Sequence, residues 1–284
     1  GVTIAFAMEC FEEELISIED TGGVELRFGS GEALVAMVEK IAKRQDIGDV
    51  LAKGLLPAAA EIGAAAGQPG AAEKYTVHAK GQAQPMHEPR FKRGLAIGYA
   101  VSPTGADHCH ALHDSGLVYP NEDGFLQSGG LRQMGVLEAI ELESLGPEKV
   151  RATLYNTIGS IVPNCLTICI FPGWNRQDYA KMVQAAAGFD VSVYELLKVG
   201  ERALTLARVY NMREGLTAED DKLCDRSYTP TEAGALAEGG IDRDELRKAM
   251  QYYYGMAGWD ENGGPTPGKL YELDVAWAID YLPA

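Results

Sequence analysis

A mainly α-helical fold is predicted by three features of the 284-residue sequence. Apolar residues recur at the helical period through most of its length. Strand-like alternation is rare and short. Helix-start signals, among them Pro147 and the run Ser192-Val-Tyr-Glu195, stand where those periodic segments begin.

Residues 2–16 carry the first apolar helical pattern, and Gly22-Gly23 turn the chain. Val24–Phe28 reads as a short extended piece. Ala33–Arg44 sets Leu34, Met37, Val38 and Ile41 on one face. Val50–Ala66 is expected to be one helix bent at Pro57. Gly67-Gln-Pro-Gly70 breaks the pattern and suggests a domain boundary between 67 and 80, and Tyr75–Arg93 reads as extended and loop structure. Further helices are expected at 131–144, 147–161, 177–187, 193–211, 242–257 and 267–273. Ser192 and Glu195 form a capping box, and Asp190 and Asp242 are further cap candidates. Thr217–Glu232 is polar and reads as a surface loop.

Composition excludes several classes of function. Asp+Glu 41 against Lys+Arg 25 gives a net charge of -16, with no basic stripe for a nucleic-acid backbone and no attraction to anionic membranes. The most apolar stretch, Leu154–Phe171, is interrupted by Asn156, Pro163 and Asn164, which argues against a membrane span. Five cysteines, an odd number, argue against a disulfide framework and for a reducing, cytoplasmic compartment. The chain starts at Gly1 and enters a helical pattern at once, so it is expected to be a fragment of a longer polypeptide.

Chemistry concentrates in two places. All five histidines fall between 78 and 113, and three lie in Asp107-His-Cys-His-Ala-Leu-His-Asp114. On a helix His110 and His113 would share a face suited to a metal, with the aspartates orienting their rings. Alternatively Ser102–Gly105 is a turn that presents His108 as a catalytic proton carrier, or the histidines are ordinary. The second place is Cys165-Leu-Thr-Ile-Cys169, a C-x3-C pair that could serve zinc or an iron–sulfur centre, although free cysteines in an apolar stretch are by default buried. Glu12–Glu14 and Glu219–Asp221 read as solvated faces or caps, and Trp174, Trp259 and Trp277 as packing residues. Gly129-Gly130 and Gly263-Gly264 do not form a phosphate cradle.

Several short segments, in one shared order, resemble the tungsten-containing aldehyde:ferredoxin oxidoreductases. Thr3–Cys10, Leu26–Gly29, Val38–Ala42 and Ile47–Gly54 come first. His78-Ala-Lys-Gly81 with Glu88-Pro-Arg90 is similar to "H-x-K-G … D-P-R", and Gly94–Ala100 with Gly105-Ala-Asp-His108 to "G-x-x-L-x-Y-A-x-S-x-x-G-x-x-H". Asn211–Gly215 and Gly258–Gly263 complete the series. The resemblance implies two helical domains, residues 1–76 being the end of the family's second domain and 77–284 its third. It implies a tungsten (or molybdenum) bis-pyranopterin and a [4Fe–4S] cluster in the full-length enzyme, aldehydes as substrates and ferredoxin as electron acceptor, and it is compatible with a homodimer. The fragment alone is expected to hold neither cofactor and to be inactive.

In that family a "D-x-x-G-L-C" motif borders the pterin and supplies the fourth cluster ligand; it falls on Asn164–Cys169. The resemblance thus implies Cys169 as a cluster ligand, Asn164, Thr167 and Ile168 as pterin-binding, and His108 as the histidine near the metal. The chain departs from the motif at Asn164, where the family has Asp, and at Thr167, where it has Gly. Cys169 and His108 are expected to converge on one cavity wall. The competing readings are an aromatic thioester reductase of the benzoyl-CoA type, a metal-dependent hydrolase built on Asp107–Asp114, and a non-catalytic helical interaction domain.

Overall fold

A computed structural model of the chain describes residues 1–118, 135–237 and 239–283. The regular secondary structure of these residues is helical apart from one two-stranded hairpin, as expected, and the chain divides into two compact units: residues 1–86 with 224–226, and residues 87–223 with 227–284. No helix among them is long and apolar enough to cross a membrane.

The first unit holds α1 (Val2–Glu12), α2 (Gly31–Lys43), α3 (Ile47–Leu51) and α4 (Leu55–Ala65). Ile4, Phe6, Met37, Leu51 and Ile62 meet in one core, removing their apolar surface from water. Ser30 caps α2 by accepting the Ala33 N–H. The expected bent helix over 50–66 is instead two helices. Gly54, at φ +101, turns the chain between them, and Pro57 lies in the first turn of α4, where its missing N–H costs nothing. The first helix stops at Glu12 rather than 16, because Glu14 takes a left-handed conformation and Leu15 and Ile16 both donate to the Cys10 carbonyl. Residues 24–27 join no sheet. The hairpin pairs β1 (His78–Ala79) with β2 (Gln82–Ala83), His78 opposite Ala83.

The second unit is built around α7 (Pro147–Cys165), which packs on α5 (Arg93–Val101), α9 (Val193–Arg213) and α10 (Arg243–Ala257). The short α6 (Ser115–Val118), α8 (Arg176–Ala187) and α11 (Pro267–Glu272) complete it. Pro147 opens α7, Ser192 and Glu195 form the capping box of α9, and Asp242 caps α10; Ser192, not Asp190, is the α9 cap. Helix α9 approaches α7 closely at Gly200, where an added Cβ would lie 2.3 Å from the Ile158 carbonyl oxygen. Gly200→Ala should therefore push the helices apart and cost about 1–3 kcal/mol, read from a denaturation midpoint.

Some expectations are corrected. Of the helix expected over 131–144, residues 131–134 lie outside the described residues and 135–144 are turns and irregular chain. Their backbone is bonded elsewhere: the Leu142 carbonyl accepts from the Arg93 N–H and from Lys149 Nζ, and the Ile140 N–H donates to Leu117. Gly129-Gly130 also lies outside the described residues. Asp221 is not a solvated charge but is buried, held by Arg208 and Tyr254. Trp259 packs in the interior, whereas Trp174 and Trp277 are exposed.

Candidate functional site

The histidine segment is a loop, not a helix, so His110 and His113 do not share a helical face. It leaves α5 at Val101 and is fixed at its far end by Asp114, a fully buried carboxylate that accepts the Gly94 N–H at 2.8 Å and pairs with the equally buried Lys149. In between, the His110 carbonyl accepts from Thr157 Oγ1 at 3.1 Å and Asn156 Nδ2 at 3.4 Å, both on α7.

Side chains on this loop fall into two groups. In the first, Asp107 accepts the Cys109 N–H at 2.7 Å and pairs with His110 Nδ1, while His110 Nε2 meets the Asn164 amide. The His110 hydrogen bond holds the Asp107 carboxyl below the usual carboxylate range. In the second, the His108 ring lies 4.8 Å from that of His87 and 6.0 Å from that of His113, and His113 Nε2 bonds the His108 carbonyl at 3.1 Å. His108 Nε2 stands 3.9 Å from Cys109 Sγ. Donor atoms of Asp107, His108 and Cys109 gather within 4.8 Å of one another, but burial raises the Cys109 thiol, which disfavours the thiolate a metal needs.

Burial, the larger cause, and neighbouring positive charge lower the pKa values of His87 and His113 below 6.5. The unfolded chain then binds protons more readily than the folded one between those lowered values and 6.5. The stabilisation is complete above 6.5 and is lost as pH falls through the folded values. Stability should therefore drop on acidification from pH 7 toward 5, and His87→Gln with His113→Gln should flatten that slope in denaturation series.

The second motif begins inside α7. Pro163 lies in its last turn and the helix ends at Cys165. Thr167 follows at φ +56, the left-handed conformation that glycine adopts without strain. Cys165 and Cys169 are both free and exposed, correcting the expectation of buried cysteines, and Ile170, Phe171 and Trp174 beyond them are exposed too. Burial of its sulfur nevertheless raises the Cys165 thiol.

A cavity of about 150 Å³ adjoins the first group, lined by Asp107, His110 and Asn164 and, deeper, by Val101, Leu204 and Tyr253. Asn164 and His110 thus come together on this wall; His108 and Cys169 do not line it. Cys169 lies instead near Tyr179, whose phenol is raised first by burial and, to a lesser degree, by Asp178 and Cys169. Tyr253 was not marked by any sequence pattern, since one tyrosine among Tyr252-Tyr253-Tyr254 on a helix carries no signal of its own.

The exposed Cys169 thiol and the left-handed turn before it fit one corner of a sulfur-ligated cluster: the donor is soft, accessible and not committed to a disulfide. Asn164, also exposed, offers an amide that donates and accepts.

Residues 1–275 match the family model described as aldehyde ferredoxin oxidoreductase, domains 2 and 3. The chain is 30% identical over 283 residues to the tungsten-containing aldehyde ferredoxin oxidoreductase of Pyrococcus horikoshii, covering 97% of this chain and 42% of that protein. It is 26% identical over 286 residues to the aliphatic sulfonate oxidoreductase, WOR-like subunit, of Pyrococcus furiosus, covering 98% and 40%. Among solved structures, the active site complex BamBC of benzoyl coenzyme A reductase with 1,5 dienoyl-CoA shares the fold, with a TM-score of 0.64 at 21% identity over 98% of this chain and 44% of that one. The chain thus spans about two fifths of the length of the relatives it matches.

Proposed function

Since the chain belongs to the aldehyde ferredoxin oxidoreductase family, matching its domains 2 and 3, we propose that it is the C-terminal part of a tungsten (or molybdenum) pterin, iron–sulfur oxidoreductase that oxidises aldehydes to carboxylic acids, with ferredoxin as electron acceptor. The assignment of residues 1–76 to the end of domain 2 and of 77–284 to domain 3 is part of this reading, as is a homodimeric assembly. When bound, the metallopterin and cluster supply the redox chemistry, and the protein supplies orientation and proton handling.

The observation that carries the reading is the turn at 164–169. Its sequence departs from the family motif at Thr167, yet its backbone keeps the left-handed conformation a glycine would favour, at a cost of about 1–2 kcal/mol for a residue with a side chain. A strained turn ending in an exposed thiol suits a surface shaped for a cofactor better than a turn shaped for stability. In this reading Cys169 donates one thiolate to the [4Fe–4S] cluster, with the other ligands outside this chain. Asn164, Thr167 and Ile168 border the pterin. Asn164, being a neutral amide, contributes hydrogen bonds in place of a carboxylate's charge, and its nitrogen already meets His110.

His108 moves the proton. Its Nδ1 has no hydrogen-bond partner among the described residues, and its ring is steadied by the neighbouring His87 and His113 rings. The imidazole takes up the proton released when water adds to the aldehyde carbon, a role that contributes about 10²–10⁴-fold to rate. His108→Phe in the full-length enzyme should lower turnover about 100-fold or more with tungsten and iron contents intact. Undiminished turnover removes His108 from the reaction.

A further inference from the structure

Asp107, His110 and Asn164 form a hydrogen-bonded row, and the direction of every bond in it follows from its first member. The hydrogen bond from His110 keeps Asp107 ionised, so its Oδ2 can only accept. His110 Nδ1 therefore carries the proton of that bond, and the neutral ring is left with a bare lone pair on Nε2. Only a donor can meet that lone pair, so the Asn164 amide turns its nitrogen, Nδ2, toward His110. Asn164 Oδ1 is left on the other side of the amide, and it accepts no hydrogen bond among the described residues.

The backbone under this row is fixed. Asp107 Oδ1 accepts the Cys109 N–H at 2.7 Å, and the His110 carbonyl is held by Thr157 Oγ1 at 3.1 Å and Asn156 Nδ2 at 3.4 Å. Asn164 lies in the last turn of α7, and its carbonyl accepts the Thr167 N–H at 3.1 Å. What remains open is the terminal torsion of the Asn164 amide, which by itself is broad and roughly two-fold. The His110 lone pair decides it.

We propose that Asp107 and His110 are positioning residues that hold Asn164 as a hydrogen-bond acceptor toward an N–H group of the pterin. The inference rests on the function proposed above. It accounts for an amide standing where the family motif has Asp. An ionised carboxylate only accepts, whereas a free amide offers a donating face as well, and His110 takes that face away.

Asp107→Asn separates this role from packing. The new amide keeps its oxygen on the Cys109 N–H, so its nitrogen faces His110 Nδ1, the ring proton moves to Nε2, and Asn164 must turn its own oxygen inward. In the full-length protein isolated with its cofactor, Asp107→Asn should speed pterin release about fivefold, the contribution of one neutral hydrogen bond. The rate is read from the fluorescence of the released pterin. In an Asn164→Asp background a carboxylate accepts whichever ring nitrogen is protonated, so Asp107→Asn should there change release less than about twofold. Equal acceleration in both backgrounds means that Asp107 serves the fold alone and overturns the proposal, as does unchanged release in Asp107→Asn. Nitrogen-15 spectra of the wild-type histidine rings give an independent reading. His110 should be protonated at Nδ1 and bare at Nε2, and a proton on Nε2 overturns the proposal whatever the variants do. Wild-type protein that carries no pterin at all overturns the functional reading itself, and this proposal with it.

Discussion

Replacing Lys149 by Met should destabilise the protein by about 3–5 kcal/mol, the cost of stranding a buried charge. Lys149 Nζ and the Asp114 carboxylate are both completely buried and form an ion pair. Nζ also donates to the Leu142 carbonyl at 3.2 Å, and Asp114 accepts the Gly94 N–H at 2.8 Å. Burial, its largest influence, lowers the Lys149 pKa, and the neighbouring Asp114 opposes that shift. Methionine fills most of the volume but removes the cation, leaving Asp114 charged in an interior with one oxygen, Oδ1, already without a partner. The backbone cannot retreat at Gly94, where even a Cβ would lie 2.5 Å from that oxygen. Because Asp114 closes the histidine loop, the imidazole NMR signals of His108, His110 and His113 should shift as well. Asp114→Asn added to Lys149→Met should recover part of the loss, since the stranded charge is then gone. Denaturant titrations of the three variants check this. A loss below about 1 kcal/mol for Lys149→Met alone would mean that the pair is solvated and does not hold the loop.

Features that depend on a few consecutive residues were legible in the sequence. The caps at Ser192 and Asp242 and the start at Pro147 depend on side chains reaching N–H groups within one turn, and the structure keeps all three. Nonlocal partners were not legible. The apolar period over 135–144 promised a helix, but bonds from Arg93, Leu117 and Lys149 claim that backbone. His110 and His113 had the spacing of a helical metal pair, yet His110 is taken by Asp107 and by Asn164, 54 residues along the chain. Nothing in the local sequence marks Lys149 as buried, because its partner Asp114 lies 35 residues away. The cysteine stretch reads as core because it is apolar, yet Cys169, Ile170 and Phe171 are exposed. The left-handed backbone at Thr167 runs against the preference of its own residue, so nothing in the local sequence pointed to it.

The second large effect concerns Cys169. Its thiol is free, exposed and two positions beyond the strained Thr167, whereas the Cys165 thiol is raised by burial of its sulfur and is less able to give a thiolate. Serine at 169 replaces a soft sulfur by a hard oxygen that iron–sulfur clusters hold poorly. The most direct measurement is iron content with the EPR spectrum of the reduced full-length protein, for Cys169→Ser beside Cys165→Ser. We expect Cys169→Ser to lose most of its iron or to change the reduced-cluster signal, and Cys165→Ser to keep both. Full iron and an unaltered signal in Cys169→Ser would contradict the assignment of this turn to the cofactor surface.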